Sequence, residues 1–122
     1  MYNDKITKLV VILNKLTVQK SISWQAIDAH ENLTNGTQDI LQVVFHTTYA
    51  EKHFIIYNRK YRHYFDEHQW SWAEGIVLAI VTPSFKTLWE TYVQTQALRD
   101  LYSSVSKQAS GFDDIVDELL NI

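Results

Sequence analysis

The chain has 122 residues, a formal charge of −3, 46% hydrophobic and 13% aromatic residues, and no cysteine. That length suits one domain spanning residues 1–122, because two separate cores would each fall near the size where stability becomes marginal. Without cysteine there is no disulfide framework and no thiolate metal or nucleophilic site, and the mild acidity argues against indiscriminate nucleic-acid binding.

At the N-terminus, Ile6, Leu9, Val10, Leu13 and Leu16 recur at helical spacing between Asp4 and Gln19, with lysines between them. This predicts an amphipathic helix, with Asn3 or Asp4 as its N-cap. The run Leu9 to Leu13 is too short for a secretory core segment, and no apolar run approaches bilayer length, so a soluble cytoplasmic protein is the expectation. From Ile22 to Ile27 the period changes to two and predicts a strand. Glu31 to Thr37 is a polar connection with Asn35-Gly36 as its turn, and the two sequons there, at Asn32 and Asn35, read as turn residues.

Leu41 to Tyr49 alternates strictly and predicts a half-buried strand, closed by Ala50-Glu51-Lys52 into His53 to Tyr57. The next stretch is ambiguous. Asn58-Arg59-Lys60 reads either as another turn or as the continuation of a charged edge strand through Tyr64. Asp66 to Gln69 is a loop. Ile76 to Val81 is a continuous apolar run, expected to be a central strand buried on both faces. Pro83 to Lys86 breaks it, and Thr87 to Tyr92 makes a last strand.

Leu98, Leu101, Tyr102, Val105, Ala109, Phe112, Val116, Leu119 and Leu120 form one helical stripe that keeps its phase across Ser110-Gly111. It predicts one bent helix or two nearly collinear ones. The whole reads as α+β: an N-terminal helix, an antiparallel meander of about five strands, and a C-terminal helix that bends at Gly111 or breaks there. Both helices are expected on one sheet face.

Candidate chemistry is sparse. Three glycines cannot build a phosphate-cradling loop, no nucleophile motif is present, and no cofactor is expected. Among the five histidines, His63 and His68 lie close enough to Asp66 for the three to share a divalent metal, with His46 or His53 as a further ligand from a neighbouring strand. That would make a metal-assisted enzyme. The segment Tyr57 to Tyr64 interleaves Arg59, Lys60 and Arg62 with Tyr57, Tyr61 and Tyr64. Such a pattern suits single-stranded nucleic acid, through phosphate contact and base stacking. It equally suits a protein interface, where Arg, Tyr and Trp dominate. Trp70 and Trp72 fall on the same side of an extended backbone and either anchor a partner or cap the end of the core. Trp24 and Trp89 read as core. Asp113, Asp114, Asp117 and Glu118 read as a solvated face of the last helix.

The pattern Leu98-x-x-Leu101-Tyr102 followed by Gln108-Ala109-x-Gly111-x-Asp113 resembles a loose group of small uncharacterised bacterial α+β proteins. The likeness is best over residues 76–120. It implies a bacterial origin and a packing role for these positions, with no catalytic set to carry over. The leading expectation is a non-enzymatic protein-interaction domain, immunity- or regulator-like. It would act through Tyr57, Arg59, Lys60, Tyr61, Arg62, Tyr64, Trp70 and Trp72, with Arg59, Arg62 and Trp72 exposed and adjacent. An exposed edge strand or the Trp pair would also suit a homodimer.

Overall fold

The computed structural model describes residues 2–121. Helix α1 (Tyr2–Val18) leads through a short connector to β1 (Gln25–Ile27), and a single 3-10 turn (Glu31–Leu33) precedes β2 (Ile40–Tyr49). β3 (Lys52–Tyr64), β4 (Trp70–Val81) and β5 (Thr87–Thr91) complete the sheet, and α2 (Gln96–Ser110) and α3 (Phe112–Leu120) close the chain. The five strands pair antiparallel in sequence order, the meander that the alternating segments predict.

Helix α1 begins before Asn3 and Asp4, so neither is its cap; Asp4 sits in the first turn, where negative charge is favoured by the helix dipole. The strand expected from Ile22 starts only at Gln25. Ile22 and Trp24 are buried all the same, as side chains of the connector beneath the helices. Their alternation reports burial, and backbone pairing starts three residues later.

Asn58-Arg59-Lys60 is not a turn. β3 runs unbroken through it and is the middle strand of the sheet rather than an edge. The β2–β3 turn is made by Ala50 and Glu51, both at positive φ (52° and 63°), the conformation that matches a two-residue hairpin to strand twist.

Val10 and Leu13 of α1 and Leu98, Leu101 and Val105 of α2 pack on Phe45, Phe54, Ile56 and Leu78, forming the main core on one sheet face. Alternate residues of the same strands point the other way. Val44, Ile55, Tyr57, Val77, Ala79 and Val81 make a second, smaller cluster, which Ile27, Leu33, Leu41 and Phe85 cover. The polar connection and the β4–β5 turn thus shelter the face that carries no helix.

Gly111 (φ 67°, ψ 28°) ends α2 in the left-handed conformation and separates it from α3. No residue of α3 is buried, so the apolar stripe leaves the core after Ala109. Phe112, Ile115, Leu119 and Leu120 stand 49–78% exposed. Among the described residues, no helix is long and apolar enough to cross a membrane.

Candidate functional site

Strands β3 and β4 are longer than the layer that covers them. Their pairing runs from His53–Val81 to Tyr64–Trp70 without a break. β2 stops opposite Lys60, and β5 stops opposite Leu78. No residue from Asn58 to Ile76 is buried. The distal half of this hairpin is therefore a two-stranded ribbon, and strand alternation sorts its side chains onto two surfaces.

On the helix-side face, Arg62 lies opposite Trp72 and Tyr64 opposite Trp70. The two indoles meet edge to face at 5.3 Å. The Arg62 guanidinium sits over them, 4.3 Å from the Trp70 ring centroid and 5.8 Å from that of Trp72. A cation over an indole face is attracted by the ring quadrupole, so the stack is self-supporting without help from the core. Trp70, Trp72 and Tyr64 remain 39%, 45% and 53% exposed, which excludes the Trp pair as a core cap. Arg62 Nε is shielded from water and has no hydrogen-bond partner. One step inward, Lys60 pairs with Glu74 at 3.5 Å, and Asn58 Nδ2 donates to the same carboxylate at 3.4 Å.

Tyr57, Arg59 and Tyr61 occupy the opposite face. Tyr57 is buried against the second cluster, and that burial, helped by the Glu90 carboxylate and opposed by Arg59, pushes its hydroxyl up to about 12. Arg59 lies over Tyr61 (5.0 Å) and Tyr92 (5.7 Å) and faces Asp39 at 3.8 Å. The expected trio is therefore split. Arg62 and Trp72 are cross-strand neighbours, while Arg59 belongs to another surface with partners, Asp39 and Tyr92, that sequence reasoning did not connect to it. Their positions on a neighbouring loop and beyond the last strand carry no local signal.

The remaining candidates sit apart. His63 projects on the Arg59 side at the end of β3, its ring edge-on to Phe65. The Asp66 carboxylate accepts from the backbone N–H groups of His68 and Gln69 (2.7 and 2.9 Å) and so shapes the hairpin turn. His46 and His53 are hydrogen-bonded at 2.9 Å, but His53 lies ten residues up the strand from His63, about 33 Å away at strand rise. Among the described residues, no three His, Cys, Asp or Glu side chains are placed to hold a metal ion.

The free edge of the ribbon is equally well defined. Gln94, just past β5, uses its side-chain amide as a substitute peptide group. Oε1 accepts from Ile76 N–H (2.9 Å), and Nε2 donates to the Ile76 and Tyr92 carbonyls (2.8 and 2.6 Å). Gly75 beside it leaves room for this approach, since an added Cβ would lie 3.4 Å from the amide. The N–H and C=O of Ile76 thus point away from β3. By strand parity those of Glu74, Trp72 and Trp70 do too, and nothing pairs with them among the described residues. Comparison of the chain with protein-family models, curated proteins and solved structures gives no match.

Proposed function

We propose that the chain is a non-enzymatic protein-interaction domain of the immunity- or regulator-like kind, acting through the helix-side face of the distal β3–β4 hairpin. A bacterial cytoplasm is the setting that the resemblance of residues 76–120 suggests. The supporting observation is the Arg62–Trp70–Trp72 stack, carried in the open on a ribbon with no buried residue. Large aromatic rings exposed together cost solvation without structural return, and Trp, Tyr and Arg are the side chains that concentrate binding energy at interfaces. Lys60 and Glu74 flank the stack as a polar rim.

The test compares proteins retained from a host extract by the wild-type chain with those retained by two variants. Joint Arg62→Ala and Trp72→Ala substitution should leave the circular dichroism spectrum unchanged and abolish retention of a specific partner. Joint Arg59→Ala and Tyr61→Ala substitution, on the other face, should retain it. Equal retention by the first variant, or no specific partner for the wild type, refutes the reading.

A further inference from the structure

We infer that the open edge of β4 pairs with the same edge of a second copy, joining two sheets through a two-fold axis at Trp72. An edge strand that exposes unpaired N–H and C=O groups is a template for strand addition, and chains that avoid it place charges, prolines or bulges there. Between Trp70 and Gly75 β4 has neither proline nor bulge and only one charge, Glu74: the segment reads Trp-Ser-Trp-Ala-Glu-Gly, and its pairing to β3 is continuous. On its second face Ser71, Ala73 and Gly75 leave a shelf without bulky side chains.

The register follows from which groups are free. Gln94 already occupies Ile76, so the outward-facing groups left are those of Trp70, Trp72 and Glu74. Antiparallel pairing uses all three only when Trp72 meets Trp72 of the other copy and Trp70 meets its Glu74. Each is then a narrow pair that exchanges two hydrogen bonds. A two-fold centred one residue to either side would leave an open group unused or collide with the Gln94 cap.

Charge selects a second copy as the occupant. Directly opposed residues share a face. Glu74 of one copy therefore arrives beside Trp70 of the other, the ring that carries the Arg62 guanidinium 4.3 Å above it. Glu74 stays 54% exposed beside Lys60, and the Arg62 guanidinium, resting on the exposed Trp70 ring, has no carboxylate partner among the described residues, so each interface would form two reciprocal Arg62–Glu74 pairs. The dimer would set both aromatic faces side by side on one continuous surface.

This inference rests on the reading of the hairpin as an interaction surface. Sedimentation equilibrium of the purified full chain should give twice the mass of one chain at about 100 µM, with Arg62→Glu and Glu74→Arg each weakening association at least ~10-fold. Mixing those two variants should restore it, because in the mixed dimer both pairs are again of opposite charge. Backbone amides of Trp70, Trp72 and Glu74 should exchange more slowly as protein concentration rises. A monomeric wild type at that concentration overturns the proposal, as does a dimer that neither reversal weakens, or a mixture that stays monomeric while both variants keep the wild-type circular dichroism spectrum. A monomer that still retains a partner through Arg62 and Trp72 overturns the dimer alone. A dimer without a retained partner overturns only the wider reading.

Discussion

Gln108 ties helix α2 to two earlier parts of the chain through a single side-chain amide. Its Oε1 accepts from the Trp24 N–H at 2.7 Å, and its Nε2 donates to the carbonyls of Ile22 (2.8 Å) and Thr17 (3.1 Å). One amide from α2 thus satisfies the end of α1 and the connector to β1, a stretch with no ladder of its own. The Trp24 indole adds a bond to Thr17 Oγ1 at 2.9 Å, and that hydroxyl donates back to the Leu13 carbonyl at 2.7 Å. Removing the amide leaves the partly buried Trp24 N–H and the Ile22 carbonyl without partners, each costly to leave unmade, while the Thr17 carbonyl keeps the Lys20 N–H at 3.1 Å. Gln108→Ala should therefore destabilise the chain by about 2 kcal/mol, read as a lower urea midpoint with unchanged slope. Within the Gln-Ala-x-Gly pattern this residue was legible as packing, yet its partners lie more than eighty positions away and no local spacing announces them. Arg59 shows the same limit. Its cation was visible in the sequence, but assigning it a surface required knowing that β3 continues straight through Asn58 to Lys60.

At the scale of elements, periodicity located nearly every helix and strand, and the errors share a cause. Alternation and helical phase report which side chains prefer burial, whereas element boundaries depend on where backbone groups find partners. So the connector at Ile22 reads as strand, and the stripe from Leu98 keeps its helical phase past Gly111 although α3 buries none of it. Gly111 has open space where a Cβ would stand, so its role is the left-handed turn that stops α2 rather than close packing. Helix α3 beyond it adds no buried residue. A chain ending at Gly111 should consequently unfold cooperatively with a stability within ~1 kcal/mol of the full chain, because almost no apolar area is withdrawn from a core. Chemical denaturation of the two chains makes the comparison, and a loss well beyond that value would show α3 to be part of the main core. The hairpin shows the complementary limit. The tyrosines, cations and tryptophans of the site were all legible as a cluster in sequence, but strand alternation divides them between two surfaces once β3 is continuous.

For the molecule as a whole, the two sheet faces are protected unequally. Two helices seal one side, while the other depends on the 3-10 segment and the β4–β5 turn. That turn holds Phe85 at φ 64°, a strained conformation for a bulky residue. Phe85 stacks on His30 (5.4 Å) and lies 6.0 Å from His46, whose Nε2 is bonded to Nδ1 of His53 at 2.9 Å. Such an imidazole pair has one donor and one acceptor, so at least one ring must be neutral. Burial, and then the nearby His53, hold the His46 pKa below its ordinary value of 6.5. The unfolded chain therefore binds more protons than the folded one as pH falls below 6.5. Stability is full above that point and declines as the pH drops through the folded-state value. Phe85 lies beside His46, and the outer cross-strand neighbours of the pair are Gln25 and Val81, none of which supplies a carboxylate to offset a second positive charge. Thermal midpoints should accordingly fall between pH 7.5 and pH 5.5. His46→Gln, which keeps a hydrogen-bonding side chain but cannot take up a proton, should flatten the dependence in that window. Hydrogen exchange in acid should first open amides of the 3-10 segment and the β4–β5 turn, ahead of the helix-sealed core, since the weaker cover is the part that the histidine pair holds in place. An unchanged profile in His46→Gln would assign the acid sensitivity to other groups.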